Sequence, residues 1–395
     1  MPRNLTASQK KILRTLDRSR QRVLWFHASS VGEYEQGRIL AQRWKEKNPD
    51  VFLVFSVFSL SGYSQRKADR LPDLFFSLPF DFSWTMGHLA DVIRPEKVFY
   101  ARYDVWPNMA LALFRRNIPQ YIFSAQISPR SLRLKKPFDF FYKNIYGKIN
   151  HIFTVDTENM ERFQRLSPSV SVAGDTRFDA IEARIRDNSI ASRKELIQKI
   201  KSCAVSRKIL VAGSSYLDSE KIIIQAWENP SIRDQFMAIL FPHHINPAHL
   251  EKIKEMINEA GLSAELLSQM ELNQYKGCRK NNIIIVDKMG LLTQGYSMAD
   301  LAYVGGGFEG SVHTVIEPVF FGIPVITGPH IANSTEAVEL AKMELIHPLS
   351  GTNPEDFITA MKVCLDKKKW INPRMREYFN SKKNAVKSIL KYFQV

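Results

Sequence analysis

Hydrophobic positions in this chain fall into short continuous runs separated by amphipathic stretches. In the first half the runs at 23–27, 51–57, 97–100, 120–124, 152–155 and 170–172 predict buried strands. Residues 38–45 and 108–116 carry apolar residues at helical spacing between them. The second half repeats the scheme, with strands predicted at 208–211, 238–241, 282–286, 301–304 and 324–326. Helices are predicted there at 219–227, 247–259 and 336–342, and one basic amphipathic helix at 373–395. Strands alternating with helices predict parallel sheets with crossover helices. Two such halves predict an α/β chain of two doubly wound domains, 1–180 and 181–395, joined where 180–207 turns polar and charged. In such sheets ligands bind at the carboxyl ends of the strands, so loops that follow strands carry the most weight. Two such sheets facing each other would leave a cleft between the domains.

Composition narrows this picture. The 395 residues carry 55 Lys+Arg against 40 Asp+Glu, a formal net charge of +15. Residues 1–180 hold 28 basic and 17 acidic residues, and so most of that excess. A polyanion, an anionic membrane or a phosphorylated substrate would each match it. The 45% hydrophobic content excludes a wholly disordered chain. The longest apolar run, 51–60, is interrupted by serines and falls short of the roughly 18 residues that span a membrane. No apolar secretory segment opens the chain. Cys203, Cys278 and Cys364 are widely spaced, which predicts neither a disulfide framework nor a metal knuckle and suits a reducing compartment.

Three stretches of the first half carry candidate chemistry. Phe26-His27-Ala28-Ser29-Ser30-Val31-Gly32-Glu33 reads as a strand, a loop of small residues and a helix start. Glu33 then stands in a first helical turn at a strand's carboxyl edge, where it can accept a proton from a hydroxyl nucleophile. The same position suits an ordinary helix-start carboxylate. Arg130, Arg133, Lys135 and Lys136, followed by Phe138, Phe140, Phe141, Tyr142 and Lys143, interleave charge with apolar surface. That pattern fits an anionic membrane, nucleic acid, or a basic helix start over core aromatics. Residues 5–24 form a weaker second candidate for an interfacial helix. Arg177, in Gly174-Asp175-Thr176-Arg177-Phe178-Asp179, follows a strand and can pair with a phosphate.

In the second half, Gly305-Gly306-Gly307 follows a strand and precedes a helix, a place that suits either phosphate or a tight turn. It matches neither GxGxxG with its distant acid nor GxxxxGK[ST]. Glu317 can accept hydrogen bonds from a ribose diol. Gly328-Pro329-His330, with Asn333, follows the next strand. His243 and His244 follow another, lacking a third metal ligand at useful spacing, and adjacent side chains of an extended segment should diverge. Asp287-Lys288-Met289-Gly290 is a loop suited to contacting a base.

Taken in order, these motifs resemble the 3-deoxy-D-manno-octulosonic acid (Kdo) transferases of lipopolysaccharide assembly. The resemblance rests on His27 through Glu33, Asp104 with Trp106-Pro107-Asn108, Ser124 through Ser131, Gly174 through Asp179, Asp287 through Gly290, Gly305 through Gly307, Glu317, and Gly328 through His330 with Asn333. It implies a GT-B fold, two facing Rossmann-like doubly wound domains with an interdomain cleft, the last helix crossing back to the first domain. It implies an inverting, metal-independent transfer of Kdo from CMP-Kdo to a lipid A precursor, lipid IVA, with no cofactor and no nucleic-acid partner. Glu33 would be the general base. Ser30, Gly32, Asp104, Arg130, Arg133, Lys135 and Lys136 would serve the acceptor and the lipid surface. Arg177, Ser214, His243, His244, Met289, Gly290, Gly306, Gly307, His313, Glu317 and Asn333 would hold CMP. The family commonly has an N-terminal membrane anchor and lies on the cytoplasmic face of the inner membrane. Without that anchor this chain would attach peripherally. His243 stands where the family often has Arg, Thr314 where Asn is usual, and Asp104 where Glu is usual. Two other readings compete: a GT-B transferase using a UDP-sugar, and a non-catalytic basic protein binding nucleic acid or membrane.

Overall fold

The computed structural model describes residues 4–186, 191–275 and 282–395. The chain forms two compact units, Met1–Arg184 with Lys382–Val395, and Ile185–Ser381. Each is built on one seven-stranded parallel sheet.

The first sheet contains β1 (Val23–Ala28), β2 (Phe52–Val57), β3 (Leu74–Ser77), β4 (Lys97–Ala101), β5 (Gln120–Ala125), β6 (His151–Thr154) and β7 (Val170–Val172), in the order β3-β2-β1-β4-β5-β6-β7. Strand order reverses between β1 and β4, so their carboxyl ends flank a switch point. Side chains alternate between the faces: Val23 and Trp25 enter one core cluster, Leu24 and Phe26 the other. With both faces covered the strands can be apolar throughout, which is why they read as continuous runs. Phe26 stacks on Phe55 of β2 and Phe99 of β4, at 5.0 and 4.8 Å.

The second sheet contains β8 (Lys208–Ser215), β9 (Phe236–Pro242), β10 (Ala264–Leu266), β11 (Ile283–Ile285), β12 (Leu301–Val304), β13 (Val325–Thr327) and β14 (Ile346–Pro348). Its order, β10-β11-β9-β8-β12-β13-β14, reverses between β8 and β12. The sequence pattern misses β3, β10 and β14. Each has only three or four residues, and each lies at a sheet edge.

Three other expectations change. The 373–395 stretch is two helices, Lys368–Lys382 and Ala385–Tyr392, broken at Asn384, whose backbone is left-handed at φ 76°. Residues 5–24 give only the helix Ala7–Thr15, and its buried Leu13, like Leu5, belongs to the core of the first unit rather than to a free apolar face. Cys203 is disulfide-bonded, contrary to the expectation from spacing, while Cys364 is a buried free thiol.

The helix Ala385–Tyr392 completes the first unit. Val386, Ile389 and Leu390 join the Phe26 face of the core, and Phe393 packs on Trp44 and Tyr121 at 5.0 and 4.7 Å. Asp179 secures its start by accepting from the backbone N–H groups of Asn384 and Ala385, at 3.2 and 3.1 Å. Burial outweighs these hydrogen bonds and pushes the Asp179 carboxyl up to about 6. A carboxyl raised in the fold stabilises the protein most below its unfolded value, and that contribution is lost as pH rises through the folded value. Asp179→Asn lacks this titration. The difference in Tm between the wild type and Asp179→Asn is therefore expected to be most in favour of the wild type near pH 4 and to shrink toward pH 7. A constant difference across that range would show that Asp179 does not titrate in the fold.

Candidate functional site

At the switch point of the first sheet, β1 ends in Ser29 and Ser30, and the helix Val31–Lys47 begins. Ser30 is its N-cap: Ser30 Oγ accepts from the Glu33 N–H at 3.3 Å, and Glu33 reaches back to close a capping box. Both returning bonds fall on one carboxylate oxygen, with Ser29 and Ser30 N–H donating to Glu33 Oε2 at 2.7 and 3.2 Å. Among the described residues Oε1 has no hydrogen bond. The cap and the base are thus the same side chain used through different oxygens. Burial raises the Glu33 pKa against the two backbone donors, Asp104 raises it further, and Arg102 opposes. Gly32 leaves open space beside it, since a Cβ there would meet nothing within 4 Å.

Across the switch, β4 runs into Arg102, Tyr103 and Asp104. Burial raises the Asp104 pKa, and Arg133 pulls it back. Arg133 stacks over Tyr103 and Tyr142, its Cζ 4.8 and 5.5 Å from the ring centroids. It therefore belongs with Asp104, apart from the solvent-exposed Arg130, Lys135 and Lys136. Arg102, absent from the sequence-based set, donates to Gln126 Oε1 at 2.8 Å. Its only signal is its place one residue after a strand. His27 is buried at the end of β1 with Nδ1 2.9 Å from Ser56 Oγ, and burial holds its pKa at about 3, so it stays neutral.

Arg177 lies in the first unit and donates from Nε and one terminal nitrogen to Asp175 Oδ2, at 2.8 and 2.6 Å. The Gly174–Asp179 motif does two jobs there: it pairs Arg177 and caps the returning helix.

In the second unit the candidate residues gather around the β8/β12 switch. Ser214 follows β8's buried core with a left-handed φ of 52°. The Gly305 N–H donates to Gly213 O at 2.9 Å, and the His313 N–H to Gly305 O at 2.9 Å. Gly306 has φ 88°, a conformation that excludes most other residues. Gly307 approaches Gly328 so closely that a Cβ would fall 2.7 Å from the Gly328 Cα. The His330 N–H donates to Gly307 O at 2.9 Å, and Asn333 Nδ2 to Gly310 O at 3.4 Å, joining the loops after β12 and β13. Glu317 is buried in the first turn of the helix Ile316–Phe321 and accepts from Thr293 Oγ1 at 3.1 Å. Met289 is 82% exposed beside Gly290.

His243 and His244 do not diverge as extended backbone would suggest. Their rings lie 4.8 Å apart edge to face, and His243 stacks on Tyr216 and His313 at 4.7 and 4.8 Å. Tyr216, like Arg102, was legible only as a residue just past a strand. Nearby, Glu220 accepts from Ser215 Oγ at 2.8 Å and pairs with His249 Nε2 at 3.1 Å. Among the described residues no three His, Cys, Asp or Glu side chains are grouped so as to hold a metal ion.

The family described as 3-Deoxy-D-manno-octulosonic-acid transferase (kdotransferase) matches residues 6–180, which contain the Glu33 capping box, Asp104 and the basic stretch. That match takes in just under half of the chain, and over it the chain is similar to the Kdo transferases. The two parallel-sheet units have the GT-B fold. A 3-deoxy-D-manno-octulosonic acid transferase of Chlamydia muridarum is 25% identical over 359 residues, covering 88% of this chain and 79% of that protein. A bifunctional glycosyltransferase/methyltransferase of Fusobacterium nucleatum is 26% identical over 378 residues. That match takes in 93% of this chain, which spans just over half, 56%, of the Fusobacterium protein's length. UDP-GlcNAc 2-epimerase of Neisseria meningitidis, at 13% identity, superposes with a TM-score of 0.65 over 94% of this chain and all of its own, a likeness of fold.

Proposed function

We propose that this chain is a Kdo transferase that moves Kdo from CMP-Kdo to a hydroxyl of a lipid A precursor, with inversion and without a metal ion. The observation that carries the reading is the Glu33 carboxylate, fixed by two backbone N–H groups through Oε2 while Oε1 has no hydrogen bond among the described residues. Oε1 takes the proton of the acceptor hydroxyl as its oxygen attacks the anomeric carbon. The bond from that carbon to the CMP phosphate oxygen breaks, its electron pair leaving with CMP. The acceptor must be an oriented hydroxyl compound, and Asp104 and Arg133 supply an acceptor and a cation for it. CMP lies against the second unit's loops, with Glu317 on the ribose, Met289 and Gly290 at the base, and Ser214, His243, His244, His313 and the Gly306-Gly307 loop around the phosphate. Incubation with CMP-Kdo and lipid IVA is expected to yield a lipid heavier by one or more Kdo residues in the mass spectrum, with matching release of CMP. Product from a UDP-sugar instead, with thermal protection by UDP and not CMP, would replace this reading.

The first unit also presents what a membrane-bound acceptor requires. Trp84 and Phe140 are 73% and 78% exposed, and Phe82, Leu132 and Phe138 are exposed as well, in the same unit as the exposed Arg130, Lys135 and Lys136. No helix among the described residues is long and apolar enough to cross a membrane. Attachment would then be peripheral, at the cytoplasmic face of the inner membrane. Each surface lysine contributes about 1 kcal/mol to binding an anionic bilayer, so Lys135→Ala/Lys136→Ala should weaken vesicle binding about thirtyfold. High salt should release the wild type. Binding insensitive to both changes would remove the electrostatic part of the account.

A further inference from the structure

We propose that the phosphate subsite of the second unit is proton-linked: the stacked imidazoles of His243 and His313 take up one shared proton when a phosphate monoester binds beside them. This rests on the reading of the second unit as the CMP-binding one and concerns how that site charges.

The rings come from three loops at strand carboxyl ends. Tyr216 follows β8, His243 follows β9 and His313 lies in the loop after β12. His243 stacks on His313 at 4.8 Å with planes 24° apart, and on Tyr216 at 4.7 Å with planes 21° apart. Tyr216 OH lies 3.1 Å from His313 Nε2, and His244 stands edge-on to His243. Parallel stacked rings cannot aim their nitrogens at one point, so the cluster is ill-suited to chelating a cation. Two positive charges at this separation repel strongly, so at most one imidazole carries a proton. Burial and the neighbouring histidine each hold His243 and His313 below the usual imidazole range, so both are neutral near pH 7.5 in the unliganded protein.

The surrounding charges determine what changes that state. Glu220, buried beneath, is engaged by His249 and Ser215. Asp218 and Glu309, both exposed, act on Tyr303, and Glu309 also on Tyr216, the ring stacked on His243. The helix Leu217–Glu228 begins directly after Tyr216, and its amino-terminal dipole disfavours a cation and favours an anion. A phosphate monoester, with its second pKa near 6, is already a dianion at about pH 7.5 and brings no proton. Its arrival reverses the local field and stabilises an imidazolium, so the proton comes from solvent. An arginine at 243 would carry its charge at all times and show no such linkage.

Calorimetric titration of CMP at about pH 7.5, in buffers of differing ionisation enthalpy, counts the protons. The wild type is expected to take up about 0.5–1 proton per CMP, with affinity falling as pH rises from about 7 to 8.5. His243→Arg should bind CMP at least as tightly, take up almost none, and lose the pH dependence. His313→Asn should weaken CMP roughly tenfold and also reduce the uptake. CMP binding by the wild type without uptake, or uptake unchanged in His243→Arg, overturns the proton linkage and leaves the donor reading standing. No CMP binding by the wild type overturns the donor reading and this inference with it.

Discussion

Glu33→Gln should lower kcat by about 10²–10⁴ while leaving the fold and CMP affinity intact, because it removes a proton acceptor without removing a cap. Glutamine keeps an amide oxygen where Oε2 stands, so Ser29 and Ser30 N–H retain their acceptor and the capping box closes as before. What disappears is the oxygen that could take a proton. The substitution therefore separates the two roles that the same side chain holds, which Glu33→Ala cannot do. The expected signature is a Tm within a degree or two of the wild type beside a collapsed turnover. With Glu33 raised by burial, wild-type kcat should climb with pH through the carboxyl's titration and then level off. Near-normal turnover in Glu33→Gln would reduce Glu33 to a helix cap and send the search for the base to Asp104.

Gly307→Ala is expected to destabilise the second unit by about 3 kcal/mol and to abolish CMP binding. A Cβ at 307 would lie 2.7, 2.8 and 2.9 Å from the Gly328 Cα, N and C. All three are backbone atoms, so no rotamer relieves the contact. The loops after β12 and β13 would have to part, straining the His330 N–H bond to Gly307 O that joins them. Gly351 provides the control, since a Cβ there meets nothing within 4 Å. Gly351→Ala should unfold within a degree or two of the wild type in thermal scans and bind CMP normally. If Gly307→Ala did the same, the close approach of the two loops would be dispensable.

Much of this was written in the hydrophobic pattern. The eleven strands other than β3, β10 and β14 are visible as apolar runs because parallel strands covered on both faces need no polar alternation. Glu33 could be placed in a first helical turn from the strand, small-residue loop and helix start that Phe26 through Glu33 spell. What the pattern could not carry was the meeting of distant residues. Arg133 reads as one cation in a basic stretch, and only the fold brings it onto Tyr103 beside Asp104. Tyr216, His243 and His313 are separated by up to 97 residues and meet because strand order brings their loops to one edge. The break at Asn384 was hidden because both flanking segments are amphipathic and basic. His243 and His244 were expected to diverge, and the turn after β9 instead brings their rings together.

The return of Lys382–Val395 to the first unit has a consequence for how the protein is made. Residues up to Arg184 leave the ribosome before Lys382–Val395, yet the face carrying Trp44, Phe99 and Tyr121 is covered by that later segment. At about 5–20 residues per second, roughly 10–40 s of synthesis separates the two events. Through that interval the nascent first unit shows an uncovered aromatic surface, while the second unit has all of its own chain before residue 382 is made. The later segment in sequence can therefore finish folding first, and a transcript cut short before residue 382 would release a product that chaperones and proteases recognise as incomplete.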